Sequence, residues 1–424
     1  MSDVYDRAIA LSEGVDPEKF IVATYLMQGP AQEDYLSRAV AAGTEQTIGR
    51  MSYVSDQLEP MVEGYGGKLL SFFRVPDHES KASLPSDARV SCVARVAFPI
   101  ANSGLQLPML LTMVLGDLSL AGMIKLVDLD LPSAFISAFQ GPKFGLSGIR
   151  EILDTDRPLI CSILKPSVGL GAREAAECFY EHALGGAEVI KDDELMAYTH
   201  DFPIEERVRA CMEMAKRVYE ENGHRVLYLT SITDRPDRMR ENALRAIEAG
   251  ASGLMLTPLS TGIGALQMLA EDPAIQVPIF AHPALLGATS WSPNFGISAH
   301  IYAAKLFRLA GADINAIPVP YGRFPHLRES YIRILKQSKA PMTEIKPVFT
   351  QVGGGLDALA VPKVIQDVGH DVMLVIGGAV QRHPMGLAAG VRAVRQAITA
   401  TLNGQTLDAA AGEFAELRAV LDLS

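Results

Sequence analysis

The sequence predicts an α/β protein: a C-terminal (β/α)8 TIM barrel preceded by an α+β domain of ferredoxin-like type. Three observations predict it. The second half repeats one unit eight times, a short apolar run ending in small or polar residues and then a longer helical stretch. No GxGxxG follows the first of these runs, which favours closure over a doubly wound dinucleotide fold. The N-terminal third carries strand and helix patterns without that repeat.

Taken in order, FIVATYLM, RVSCVARVAFPI and KLVDLDLP have the composition of strands, with helix-like segments at 31–50 and 105–116. Gly and Pro in FQGPKFGLSG break the pattern, so the domains divide as 1–143 and 144–424. The candidate barrel strands are 158–166, 187–193, 225–233 and 253–258, then 277–284, 314–320, 345–355 and 372–380. Between them lie amphipathic segments such as EERVRACMEMAKRVYEEN and AHIYAAKLFRLAGA, apolar at helical spacing. Apolar strands alternating with helices form parallel βαβ units buried on both faces. Eight such units over about 240 residues match the usual size of a barrel. From about Gly404 the tail is Ala-rich and helical.

Composition narrows the class. A chain of 424 residues suits two domains, and 48% hydrophobic with 21% charged residues is ordinary for a globular protein. No apolar run approaches the roughly 18 residues that span a bilayer. The opening MSDVYDRAIALSEGVDPEKF has no basic segment followed by an apolar one, so no secretory signal and a cytoplasmic location are expected. Cys92, Cys161, Cys178 and Cys211 lack CxxC pairing and metal-ligand spacing, as reduced structural thiols do. A net charge of −11 argues against nucleic acid as a partner. It leaves room for an anionic small substrate, because a local site can oppose the global sign.

In a barrel the chemistry sits at the C-terminal ends of the strands. Those ends carry Lys165 on the first strand, Lys191-Asp192-Asp193-Glu194 on the second and His282 on the fifth. The sixth runs into Tyr321-Gly322-Arg323, the seventh into Gly353-Gly354-Gly355 and the eighth into Gly377-Gly378. An isolated KDDE is often a solvated turn. Here the acids lie where barrel chemistry happens, and clustered carboxylates are the hard oxygen ligands that Mg²⁺ prefers. Alternation puts Lys191 and Asp193 on one face. Either glycine pair alone could be a plain turn; together, after strands seven and eight, they mark a phosphate site that includes Gly354, Gly355, Gly377 and Gly378. Lys165, held at a strand end before Pro166, is placed to exchange protons with a substrate. His282 is either an active-site group or a core histidine bonded to a carbonyl. His383, in RHPMG, has the setting of a loop brace.

These residues, in this order, resemble the large subunit of ribulose-1,5-bisphosphate carboxylase, and more closely the non-carboxylating RuBisCO-like proteins. The resemblance runs from FIVATYLM to the helix after RHPMG. GGAEVIKDDE is similar to the family's metal motif, which implies that Lys191 is carbamylated by CO2 and joins Asp193 and Glu194 around one Mg²⁺ per subunit. A carbamate turns a cation into a third hard oxygen donor, and the metal then polarises a ketone toward an enolate. SILKPSVGL puts Lys165 on the family's catalytic lysine, and FAHPA puts His282 on an active-site histidine. VGGG and IGGAVQRHPMG resemble the phosphate-binding segments. AAGTEQTIG resembles the segment that reaches a neighbouring subunit's barrel, which nominates Glu45 and implies a homodimer with its active site at the subunit interface.

The departures matter as much. Where carboxylases carry a second lysine after SILKP, this chain has Ser167. Its segment after strand six, IPVPYGRF, lacks the lysine that closes over the carboxylation intermediate, and Gly353 replaces a serine. Carboxylase activity is therefore not expected. The methionine-salvage enolases share the PYG and AHPA segments, yet their first-domain base, a lysine, matches Asp117 here. The resemblance then leans toward decarboxylation or carbon–carbon cleavage of 3-oxo-isoapionate 4-phosphate, with Asp117 and Glu45 at the site and Arg323 contacting a carboxylate through its planar fork. Two alternatives stand beside it: enolisation or isomerisation of 5-methylthio-pentulose phosphates, and a non-catalytic sugar-phosphate-binding protein.

Overall fold

The computed structural model describes residues 8–49, 59–76, 87–197 and 202–423. They form two compact units. One holds the chain up to Phe139 together with Leu285–Tyr302 and Met342–Glu344; the other holds Gln140–Ala284, Ala303–Pro341 and the chain from Ile345 onward.

The first unit is built on four antiparallel strands, β1 (Phe20–Pro30), β2 (Lys68–Val75), β3 (Arg89–Pro99) and β4 (Ile124–Asp130), in the order β4-β1-β3-β2. With α1 (Tyr35–Glu45) and α2 (Leu107–Leu115) this is the expected ferredoxin-like arrangement. Strand β1 alternates strictly, burying Ile21, Ala23, Tyr25 and Met27. Asp34 caps α1 by accepting from the Ser37 backbone N–H at 3.0 Å. The Tyr25 hydroxyl donates to the Val114 carbonyl and so fastens α2 across the sheet. The sequence reading missed β2. A register shift between Leu69 and Ser71 breaks its alternation, so KLLSFFRV shows no clean period of two.

The second unit is a closed parallel barrel of β5 (Leu159–Ile163), β6 (Val189–Lys191), β7 (Leu227–Ser231), β8 (Gly253–Leu256) and β9 (Ile279–Ala281). After the two-residue β10 (Gly296–Ile297) it continues with β11 (Ile314–Pro318), β12 (Phe349–Gly353) and β13 (Met373–Ile376), and β11 pairs back to β9. All eight expected barrel strands are present, shorter than expected at their ends. Strand β10 belongs to the first unit, where it pairs in parallel with β4. The surrounding helices include α3 (Gly145–Leu153), α4 (Ala172–Leu184), α5 (Ile204–Asn222), α6 (Pro236–Glu248) and α7 (Ile263–Glu271). They continue with α8 (Arg328–Lys339), α9 (Val361–Val368) and α10 (Leu387–Leu402), and α11 (Ala415–Leu421) closes the chain.

Inward residues fill the barrel: Leu159, Cys161, Val189, Leu229, Met255, Phe280, Ile314 and Phe349 pack with Ile149 and Leu153 of α3. Each such side chain contributes about 1.5–3 kcal/mol on burial. Buried Asp313 ties α3 to the barrel, accepting from the backbone N–H groups of Phe144, Gly145 and Ile279 at 2.7–2.8 Å. Burial pushes its carboxyl up to about 6. No helix among the described residues is long and apolar enough to cross a membrane.

Candidate active site

Strand β6 delivers the central group. Its alternation turns Val189, Lys191 and Asp193 toward the barrel interior and Ile190 and Asp192 toward the helices. The Lys191 side chain is 2% exposed. Its Nζ donates to the Asp192 carbonyl at 2.9 Å, lies 3.8 Å from Glu194 Oε2 and stands 5.9 Å from the Phe280 ring centre. Asp193 is buried and accepts from the Leu195 backbone N–H at 3.1 Å. Its other oxygen, Oδ2, accepts from Lys165 Nζ, which arrives from the end of β5. Burial alone would raise the Asp193 carboxyl, but the Lys165 ammonium and the Leu195 N–H hold it below the ordinary value. Lys165 Nζ also donates to Ser167 Oγ at 2.8 Å, a contact that the sequence reading did not anticipate.

From β9, His282 brings Nε2 to 3.4 Å from Glu194 Oε2. Burial, reinforced by the Lys191 charge, holds its pKa well below the usual value, so the imidazole is neutral. Its Nδ1 is buried without a hydrogen-bond partner, as are Ser231 Oγ and Thr233 Oγ1 at the end of β7. Buried polar atoms normally have partners, so these three are open to a polar ligand. Lys165, Lys191, Asp193, Glu194 and His282 are thus one cluster.

Asp192, between the two inward residues, is fully buried on the other face. Its Oδ2 accepts from Arg207 Nη2 (2.9 Å), Thr230 Oγ1 (2.9 Å) and the Ser231 N–H (2.8 Å), and its Oδ1 accepts from Tyr228 Oη at 2.6 Å. Arg207 on α5 is also fully buried and stacks on Phe202 at 4.6 Å. Burial opposes the guanidinium charge, but Asp192 and Tyr228 more than compensate and raise its pKa. This network clamps β6 to β7 and α5 directly beneath the cluster. A sequence signal existed in Asp192 itself, whose phase points away from the barrel; its partner lies fifteen positions on and carries no local mark.

At the end of β12 the glycines are required by the backbone or by space. Gly354 and Gly355 have φ of +92° and +99°. A Cβ on Gly355 would lie 2.8 Å from the Arg323 nitrogen, and one on Gly353 would meet Val375 Cβ at 2.7 Å, so no serine fits there without displacement. The Gly354 carbonyl accepts from the Arg323 N–H at 2.8 Å, which couples the loop after β11 to the loop after β12. Exposed Arg323 stacks on Phe324 at 4.8 Å. The same loop is tied to α9, where Asp367 accepts from both Tyr321 and Arg328. Gly377 and Gly378 open the short helix Gly378–Gln381, and Arg382 lies against Gly378. His383 braces the tail: its Nε2 is 3.0 Å from the Glu416 carbonyl.

Glu45 ends α1 and Asp117 opens the turn after α2; both are exposed on the first unit. Among the described residues no three His, Cys, Asp or Glu side chains form a ready-made metal group. The donors at hand are the carboxylates of Asp193 and Glu194 and the Lys191 amine. A carbamate on Lys191 would add a third hard oxygen donor to these two carboxylates, a donor set of the kind that suits Mg²⁺.

Similarity to known proteins extends over nearly the whole chain. The family profile of the ribulose bisphosphate carboxylase large chain, catalytic domain, matches residues 145–423. A ribulose bisphosphate carboxylase-like protein of Archaeoglobus fulgidus is 40% identical over 398 residues, 94% of this chain and 91% of its own. A 2,3-diketo-5-methylthiopentyl-1-phosphate enolase of Bacillus cereus is 35% identical over 389 residues, 91% of this chain and 94% of its own. The crystal structure of a rubisco-like protein from Alicyclobacillus acidocaldarius superposes with a TM-score of 0.88 at 35% identity, covering 96% of this chain and 99% of its own. With profile, sequence and fold in agreement, the chain belongs to the ribulose bisphosphate carboxylase large-chain family, as a RuBisCO-like protein.

Proposed function

We propose that this protein is a Mg²⁺-dependent enolase of a phosphorylated ketone, with 2,3-diketo-5-methylthiopentyl 1-phosphate as its first candidate substrate. The observation that carries the chemistry is the cluster of Lys165, carboxylates and neutral His282 at the strand ends. The substrate class comes from the enolases among the relatives. The carbon–carbon cleavage toward which the sequence leaned finds no support among them. When bound, Mg²⁺ supplies Lewis acidity that makes the hydrogen beside the ketone acidic.

In this reading Lys191 (as its carbamate), Asp193 and Glu194 hold the metal, and Asp192 with Arg207 keeps their strand in place. Lys165 moves the proton at the enolising carbon. Neutral His282, whose Nδ1 is buried without a hydrogen-bond partner, steadies a substrate oxygen. The backbone N–H groups at Gly354, Gly355, Gly377 and Gly378, with Arg323 beside them, take the phosphate. Glu45 and Asp117 stay as the resemblance has them, Glu45 completing a neighbouring subunit's site in a homodimer and Asp117 standing in place of a lysine. An aspartate there cannot repeat the lysine's role unchanged, so this reading assigns the proton step to Lys165.

The test is ¹H and ¹³C NMR in D2O with Mg²⁺ and bicarbonate. Loss of a C1 proton signal from the diketone supports the enolase. Release of CO2 or two fragments from 3-oxo-isoapionate 4-phosphate would replace it with the cleavage reading. Inertness toward both, by metal-loaded carbamylated protein, would leave the non-catalytic binding protein.

A further inference from the structure

We infer that Lys165 is a counter-ion of Asp193 which a divalent cation must displace to bind, and that Ser167 keeps the displaced ammonium at the site. The inference rests on the metal reading above and adds an order of events to it.

Both oxygens of Asp193 are engaged. Oδ1 accepts from the Leu195 backbone N–H at 3.1 Å, which strand and turn geometry fix. Oδ2 accepts from Lys165 Nζ. The carboxylate is 3% exposed, and a charge so placed is costly without a partner. Lys165 therefore fills at Asp193 the need that a bound cation would otherwise fill. Mg²⁺ takes its oxygen ligands at about 2.0–2.1 Å in a strict octahedron, so an ammonium on the same oxygen would both crowd and repel it.

The lysine has somewhere to go. Its side chain is 35% exposed, against 2% for Lys191, so it can swing without opening the core. It has a second acceptor already in hand, Ser167 Oγ at 2.8 Å. Ser167 carries no charge and lies outside the metal donor set, so it would take over as the ammonium's anchor once Asp193 is given up to the metal. A metal bound there would exchange one cation for another at Asp193 and would leave Lys165 held by Ser167 alone.

The test is calorimetric titration of Mg²⁺, and spin-resonance titration of Mn²⁺, into full-length protein saturated with bicarbonate. Lys165→Met lacks the competitor and binds on the order of tenfold tighter, the equivalent of one charge-assisted hydrogen bond. Ser167→Ala keeps every charge but removes the only anchor left in the metal-bound state, so it binds several-fold weaker. Unchanged or weaker binding by Lys165→Met overturns the inference. Tighter binding by Lys165→Met with no change in Ser167→Ala also overturns it, because long-range repulsion alone would then account for the result. A wild-type protein that binds neither cation in bicarbonate, indistinguishable from Lys191→Met, sinks the metal reading itself.

Discussion

At the scale of single residues, the site is decided by which way three consecutive side chains point. Lys191 and Asp193 face the barrel and Asp192 faces α5, where it meets Arg207 with both groups fully buried. Such a pair stabilises little compared with apolar residues of the same shape, yet breaking it is expensive. Asp192→Ala strands the Arg207 charge in the interior and is expected to cost about 3–5 kcal/mol in urea unfolding. Adding Arg207→Met to that variant removes the stranded charge and should recover much of the loss. A double mutant no better than the single would mean that Arg207 is neutralised by other groups. This is also where sequence reading stops. The strand phase of Asp192 follows from alternation, but three adjacent acids look alike in a string, and only the fold shows that one is a clamp. Ser167 is similar: its substitution is plain in the sequence, whereas its hydrogen bond to Lys165 depends on how the strand end turns.

At the scale of elements, legibility follows burial. The barrel strands stand out because parallel strands buried on both faces become continuous apolar runs, such as LICSI and LYLTS. Strand β2 lies at a sheet edge with a register shift, and β10 is two residues supplied from the far side of β9; neither leaves a periodic trace. The helical tail is legible as a helix, but what fastens it is not. Glu416 accepts from Gln396 Nε2 and Arg392 Nε, each at 2.8 Å, and these bonds lower its pKa to about 2. A depressed carboxyl contributes stability that is complete above its unfolded value, near 4.5, and is lost as pH falls through about 2. The stability gap between wild type and Glu416→Gln should therefore be full at pH 6, shrink below pH 4.5 and approach zero near pH 2. Urea midpoints across that range measure it, and a gap independent of pH would show that the Glu416 charge does not hold α11.

At the scale of the whole molecule, the proposed metal donors and their support come from separate parts of one barrel. Lys165 follows β5, the KDDE segment ends β6, the orphan hydroxyls close β7, and His282 follows β9. Each of these strands could be recognised alone, but their convergence needed the closed strand order β5-β6-β7-β8-β9. Ligand binding at such a convergence acts on the stability of the entire barrel, because the donors are brought together only in the folded state. A ligand at a hundredfold excess over its Kd adds about 2.7 kcal/mol to the folded state, or several degrees in the unfolding midpoint. The carbamate makes this conditional. In the proposed reading, the Lys191 ammonium 3.8 Å from Glu194 would repel a metal, whereas its carbamate would be a ligand. Mg²⁺ and bicarbonate together should therefore raise the midpoint by several degrees, while either alone has a much smaller effect. Lys191→Met should abolish the joint effect without lowering the midpoint of the untreated protein by more than its lost contacts allow. A shift with Mg²⁺ that needs no bicarbonate, or one that survives in Lys191→Met, would place the metal on carboxylates alone and remove the carbamate from the mechanism.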